Sequence, residues 1–500
     1  MRQPLLRTLK LLAITFTLAF IPYLAINSKA FADDPDIWWH IRVGDWISQH
    51  HRVPRVGIFS QHIERPWTAY SWCFDLLVSG VHGLFGLPGI PGLLICLEVL
   101  TSLAILLAIH RIAGGFWCSW GIATAAIVAA YFDPLRPALL TLFFFTLELL
   151  LIFEVERTGD DKRLWWTGPL FMLWANCHIQ FVYGIAVLAF YVGSRMLGLR
   201  KTAPPSASAI SARKLAGIFA VALAGSCLGP NGWLPYKVAL GYMGQFYIYQ
   251  TIQEMSAMNF RRPEHYVLLV LVIAASYLLG QSKRRDLFRP ALLVVTALVS
   301  FRSVRDMWFA AVAAAFVVAE GVRERPKVRS PDGLANQSAS TDSRWLTLLY
   351  ALATVLALAH SFVYGLDHGT KPADMMTEIA RVYPVRATEF VSDSHRPGPI
   401  YNSFNWGGFL IFNLRNDPVS IDPRTDLYGV ELLKRSMATT NGINWQSDPD
   451  LARANLVIIE RYEALAAELV QDPAYRLVYQ DQNAMVFVKE RSSLIRQTRR

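Results

Sequence analysis

About eleven apolar segments fill residues 1–365, and a stretch of ordinary polarity starts near residue 366. Runs approaching ~20 apolar residues are long enough to cross hydrocarbon. In lipid every backbone polar group needs an internal partner, so such runs must be helices. Between the first two segments lies an acidic, tryptophan-rich loop, Asp33-Asp34-Pro35-Asp36-Ile37-Trp38-Trp39-His40. This layout puts carboxylates at a membrane surface, opposite the basic loops. It points to chemistry on a lipid-linked substrate rather than to simple anchoring.

The composition is 53% hydrophobic and 17% charged, against about a quarter charged in soluble chains. The formal net charge is +10. The basic residues cluster in short loops between apolar segments, the pattern that fixes topology and meets anionic lipid. No zinc finger, RNA-binding signature or recognition-helix pattern is present, so nucleic acid is not expected as a partner. The five cysteines, Cys73, Cys96, Cys118, Cys177 and Cys227, lie in or beside apolar segments. They read as small buried hydrophobes. The tail has none, which excludes a disulfide framework there.

Spans are expected at about 9–28, 89–110, 116–132, 137–154, 164–177, 180–198, 215–228, 264–281, 286–301, 305–320 and 345–364. The first is read as a retained helix rather than a signal peptide cleaved after Ala30 or Ala32. Arg2, Arg7, Lys10, Arg111, Arg157, Lys162, Arg163, the 195–214 loop, Lys283–Arg285 and the 323–344 loop then fall inside. The 33–36 loop, the 133–136 turn, the 229–263 loop and the tail fall outside. Residues 71–85 are apolar but carry Asp75 and His82, and as a span they would spoil the charge bias. They are expected to lie at the outer interface, anchored by Trp67, Tyr70 and Trp72. The domain division is 1–365, with a first outer loop at 29–88, and 366–500.

Asp33, Asp34 and Asp36 are candidate catalytic carboxylates. Any of them can act as general base toward a hydroxyl, or Asp36 and Asp34 can hold a divalent cation that grips a phosphate. If 36–48 is helical, with Asp34 as cap and Pro35 entering it, Asp36 and His40 share a face. Trp38 and Trp39 can stack on a sugar or border lipid; the plainer reading is an interfacial helix with Trp38, Trp39 and Trp46 as anchors. Arg302 and Arg305 sit at the outer ends of two spans, where guanidinium forks suit a lipid phosphate or, more plainly, Asp306. Arg136 is a weaker case of the same kind. Asn176 and His178, in Trp174-Ala175-Asn176-Cys177-His178, can hydrogen-bond a substrate or simply make a turn. Glu254 is a lesser acid candidate.

The tail reads as a small α/β domain. A helix is expected over 371–394, strands at 399–402, 419–422, 456–459, 475–479 and 484–488, and a helix at 462–470. Trp406-Gly407-Gly408 reads as a tight turn before an apolar helix or strand. Asp422-Pro423-Arg424-Thr425-Asp426 follows a strand, where ligand loops occur, although a salt-bridged turn explains it more simply.

These features resemble the C-type (GT-C) superfamily of membrane glycosyltransferases. The resemblance is carried by Asp33-Asp34-Pro35-Asp36 in the first outer loop and by a many-span body with an extracytoplasmic tail. The chain also resembles a group of bacterial membrane proteins. The shared pattern is Asp36-Ile37-Trp38-Trp39-His40, Gly44, Pro54, Phe59-Ser60, Arg136-Pro137, the Trp174–His178 run, Asn405-Trp406-Gly407-Gly408 and the Ile421–Tyr428 run. The implied fold is a predominantly α-helical polytopic membrane protein with about eleven spans and a small C-terminal α/β domain. The implied activity is transfer of a sugar from a polyprenyl-phosphate donor to an envelope acceptor at the outer face of a bacterial inner membrane. The N-terminus would be cytoplasmic and the C-terminal domain periplasmic. The resemblance assigns the base or metal-linked role to Asp36, Asp34 or Asp33, the lipid phosphate to Arg302 or Arg305, and Mg²⁺ or Mn²⁺ as the possible cofactor. The Trp-Trp-Asp-Tyr-Gly signature of oligosaccharyltransferases is missing from the tail, which argues against protein N-glycosylation. A lipid or glycan transporter and a noncatalytic membrane scaffold are the competing classes. Transport would need polar groups at mid-span, and Glu98 and Glu148 are the two residues of that kind.

Overall fold

The computed structural model describes residues 2–28, 34–130, 135–198, 210–243, 247, 255–282, 286–324, 352, 355–356, 359 and 372–490. Asp33, Glu254 and nearly all of the span expected at 345–364 lie outside the described residues.

Ten helices stand where ten spans were expected. They are Arg2–Ser28, Gly89–Ala113, Phe116–Ala129, Ala138–Thr158, Thr167–Cys177, Phe181–Met196, Ala212–Ser226, Pro263–Gln281, Phe288–Arg302 and Met307–Glu324. Gly89–Ala113, Ala138–Thr158 and Pro263–Gln281 are each long and apolar enough to cross a membrane. The chain is a helical membrane protein. Its hub is Met307–Glu324, buried without interruption from Met307 to Ala319. The alanines of Phe309-Ala310-Ala311-Val312-Ala313-Ala314-Ala315 let five helices close on it: Gly89–Ala113, Phe116–Ala129, Ala138–Thr158, Pro263–Gln281 and Phe288–Arg302. Small side chains serve helix packing in lipid because they admit close backbone approach. On the outer helices Val270, Ile273, Val294 and Leu298 are exposed, an apolar surface suited to acyl chains.

The charged loops sort to opposite ends of the bundle. At one end Glu154 receives Arg111, Arg157 and Arg163. There Arg195 and Arg289 bind Asp286 between them, with Glu156 and Glu320 completing the network. The other end holds the acidic loop, Arg136, His178, Asp306 and the tail.

Asp36–His50 forms the expected helix and packs along Trp72–Phe85. Gly44 permits that approach, because a Cβ there would lie 2.1 Å from the Asp75 carbonyl oxygen. In the tail the helix expected over 371–394 is two, Pro372–Val382 and Val385–Asp393. Pro384 separates them, since proline has no N–H to continue the ladder. Four strands, β1 (Ile400–Asn402), β2 (Leu456–Glu460), β3 (Tyr475–Gln480) and β4 (Ala484–Lys489), pair in the order β1-β2-β4-β3. β1 and β2 are parallel, and the other pairs are antiparallel. The strand expected at 419–422 is reduced to one residue: Val419 bridges Ser60 of the first loop and Ile400 of β1 at once. Trp406-Gly407-Gly408 opens the helix Gly407–Asn413.

The tail and the first loop share one apolar core. Ile37, Trp38, Ile58 and Trp67 cluster with Tyr383, Phe409, Leu427 and Ile458. Trp38 is 3% exposed and meets Tyr383 and Phe409 edge-on, 5.6 and 5.1 Å between centroids. Arg42 Nε donates to the Ile411 carbonyl at 3.3 Å. A Cβ at Gly408 would lie 2.5 Å from the Pro35 carbonyl oxygen, so this glycine lets the tail helix seat against the start of Asp36–His50.

Candidate active site at the loop end of the bundle

Asp34 and Asp36 are two residues apart and differently placed. Asp34 is 1% exposed and Arg136 9% exposed as side chains, with Arg136 Nη2 3.0 Å from Asp34 Oδ1. Arg136 Nε also donates to Asp34, at 3.2 and 3.4 Å. Asp34 Oδ1 accepts the Asp36 backbone N–H at 3.1 Å at the start of the helix, whose N-cap position is Pro35 rather than the expected Asp34. Burial pushes the Asp34 carboxyl up and Arg136 opposes that. Asp36 keeps 19% of its side chain exposed and lies 3.5 Å from Arg136 Nε. Its Oδ1 accepts from Trp39 Nε1 at 3.1 Å.

Asp36 and His40 do not act on each other. His40 Nδ1 lies 2.5 Å from Asp75 Oδ1, with both side chains buried. Burial pushes the Asp75 carboxyl up, and His40 opposes it. Trp39 is 8% exposed, lies over His40 and meets Trp67 edge-on. Trp38 and Trp39 therefore face protein, and both are buried.

Trp67, Tyr70 and Trp72, expected as membrane anchors, are used inside the fold. Trp67 Nε1 donates to Asp426 Oδ2 at 3.0 Å. Trp72 Nε1 donates to Asn176 Oδ1 at 2.8 Å. Asn176 Nδ2 donates to the Met172 and Leu228 carbonyls, so its amide joins three helices' ends. Tyr70 hydrogen-bonds Tyr242 and lies within electrostatic range of Asp426, Arg305 and Asp36. Burial, then Tyr242 and Asp426, pushes its hydroxyl well above the usual phenol. His178 Nδ1 pairs with Thr141 Oγ1 at 2.8 Å, and Trp174 Nε1 donates to the same hydroxyl at 2.9 Å. Burial, then Arg305 and His40, pushes the His178 imidazole well below its usual value and holds it neutral. Arg302 is exposed at the end of its helix, and Arg305 is half-buried.

The tail loop repeats the loop-end pattern. Asp422 and Arg424 are 0% exposed and joined at 2.7 Å. Arg424 also donates to the Ile58 carbonyl and lies over Trp67. That is the salt-bridged turn. Asp426 is separate: it is half-buried, and burial pushes its carboxyl up to about 7 against the pull of Arg424 and Trp67. Tyr242 OH and Thr425 Oγ1 are 3.1 Å apart. Tyr70 thus lies within electrostatic range of Asp36, Tyr242, Arg305 and Asp426 together. Tyr70, Tyr242 and Asp426 are the residues that reading the sequence did not assign to the site. Their signal was the Asp422–Asp426 loop and the tyrosine-rich 236–254 stretch.

Asp34 is committed to Arg136, and Asp36 shares that guanidinium and the Trp39 N–H. No group of three metal-ligating side chains occurs among the described residues.

No protein-family profile and no curated protein matches the chain. Among solved structures it is similar to the archaeal oligosaccharyltransferase AglB from Archaeoglobus fulgidus, in complex with an inhibitory peptide and a dolichol-phosphate. That match has 11% identity and a TM-score of 0.52, over 96% of this chain and 74% of that one. The apo form of the Archaeoglobus fulgidus oligosaccharyltransferase aligns at 11% identity and 0.51, over 97% and 75%. ArnT from Cupriavidus metallidurans, bound to undecaprenyl phosphate, aligns at 13% identity and 0.46, over 95% and 98%. At these identities the likeness is one of architecture: the chain is a membrane protein with a GT-C-like fold, the fold of the C-type glycosyltransferases.

Proposed function

We propose that the chain transfers a sugar from a polyprenyl-phosphate donor to a hydroxyl of an envelope acceptor, at the outer face of a bacterial inner membrane. The observation that carries this reading is Asp36. It is a carboxylate kept accessible beside a buried ion pair, at the loop end of a GT-C-like bundle, within electrostatic range of Tyr70, as are Arg305 and Asp426. AglB, with the same architecture, was solved with a dolichol-phosphate, a lipid carrier of the proposed class.

In the proposed step the acceptor oxygen attacks the anomeric carbon as the sugar–phosphate bond breaks, with inversion. Asp36 takes the acceptor proton, with Arg136 Nε 3.5 Å away. Arg305 holds the lipid phosphate as its charge develops. Asp426, titrating near neutrality, orients the acceptor through the Tyr70–Tyr242 pair. No step is routed through a metal.

The test is sugar release from a panel of polyprenyl-phosphate sugars by the purified chain and by Asp36→Asn. Turnover in the wild type that the substitution abolishes supports the reading. Turnover unchanged by it sinks the role of Asp36, and no turnover with any donor sinks sugar transfer. One observation favours transport as a second reading. Glu148 is fully buried at mid-helix, and neither carboxyl oxygen has a hydrogen-bond partner among the described residues. Intact donor moved across vesicles without sugar release would select it.

A further inference from the structure

Reading the sequence treats all five cysteines as packing residues. The structure separates two of them. Cys73 is the second residue of Trp72–Phe85, and Cys177 is the last residue of Thr167–Cys177. These helices pack together. Their seam is fixed one residue earlier on each side, where Trp72 Nε1 donates to Asn176 Oδ1 at 2.8 Å. The next pair along the seam is Cys73 and Cys177, whose thiols are in hydrogen-bonding contact. Both are half-buried. Both lie at the loop end of the bundle, beside Asp75, which holds His40, and beside His178.

We propose that Cys73 and Cys177 are a disulfide-forming pair that locks the two helices supporting the candidate active site. The inference does not depend on sugar transfer. It rests on the loop end being the extracytoplasmic one, where disulfides form and persist. The chemistry is thiol–disulfide exchange with a disulfide oxidant. One cysteine thiolate attacks the oxidant's S–S bond, giving a mixed disulfide and one released thiol. The second thiolate then attacks the protein sulfur of that mixed disulfide and displaces the other oxidant sulfur as a thiol. The chain loses two protons and two electrons, and the oxidant's disulfide becomes two thiols. Cys96, Cys118 and Cys227 have no such neighbour among the described residues, so they stay reduced.

The test uses the full-length protein purified from membranes. It is exposed to oxidised glutathione or to reductant, then denatured, capped with a maleimide and weighed intact. The expected result is three adducts after oxidation and five after reduction, with a Cys73–Cys177 cross-linked peptide in the digest. Cys177→Ser should carry four adducts under both treatments, and the oxidised wild type should unfold at a higher temperature than this variant. Five adducts on the folded wild type after oxidation would overturn the proposal. So would a cross-link between any other two cysteines.

Discussion

The acidic loop after the first span and the Asp422–Asp426 loop of the tail come from opposite ends of the chain and share one construction. In each, one aspartate is buried against an arginine: Asp34 on Arg136, Asp422 on Arg424. In each, a second aspartate a few residues on stays partly exposed, Asp36 in one and Asp426 in the other. A buried ion pair adds little net stability over an apolar pair, but loss of one partner leaves an uncompensated charge and is costly. The aspartate buried on its arginine therefore fixes the loop, and the partly exposed one is left for chemistry. The loops differ in electrostatics. Asp36 has a guanidinium 3.5 Å away, whereas Asp426 is held up to about 7 by burial. Both carboxyls lie within electrostatic range of Tyr70.

The comparison can be broken in order of effect. Asp36→Asn should lower donor turnover by about 10²–10⁴-fold, the usual worth of a general base, with the unfolding midpoint unchanged. Asp34→Ala and Asp422→Ala should each cost about 3–5 kcal/mol in denaturant unfolding, because a buried guanidinium loses its partner. A cost under ~1 kcal/mol for either would show that its pair does not hold the loop. Asp426→Asn should remove a limb of the turnover profile that rises through pH about 7 in the wild type. The sign for stability is opposite. A carboxyl raised from 3.8 to about 7 is favoured neutral in the fold, so wild-type stability falls as pH rises across that window. The asparagine variant should lose less stability over the same range. Smallest is Tyr242→Phe, which deletes a hydroxyl contact to Thr425 and should cost about 0.5–1.5 kcal/mol in unfolding.

Hydropathy and charge made the bundle legible. Ten expected spans are helices, and Arg111, Arg157 and Arg163 converge on Glu154, because apolar run length and loop charge are local signals. The helix beginning at Asp36 was legible for the same reason. Docking of the tail onto the first loop was not. Trp38 and Trp39 look like membrane anchors in a one-dimensional reading, and only the fold shows Tyr383, Phe409 and Trp67 taking the place of lipid. The glycines of Trp406-Gly407-Gly408 read as a turn, whereas Gly408 is the clearance for Pro35. Val419 reads as strand and becomes a single bridge, since its partners come from Ser60 and Ile400, far apart in sequence. Asp34, Asp36, Arg136 and Arg305 could be named from local pattern, but which aspartate is paired depends on Arg136 arriving from about 100 residues away. Tyr70, Tyr242 and Asp426 join the site through contacts of the same long range.

The most direct measurement puts Asn at Asp34, Asp36, Asp422 and Asp426 one at a time and reads two quantities on each protein: the unfolding midpoint and sugar release from a polyprenyl-phosphate sugar. The account predicts a crossed pattern. Asp34→Asn and Asp422→Asn lower the midpoint, whereas Asp36→Asn keeps it and loses turnover, and Asp426→Asn loses the pH limb with a midpoint that falls less than the wild type's as pH rises. Loss of turnover at Asp34 with the midpoint intact, together with full activity at Asp36, would contradict it.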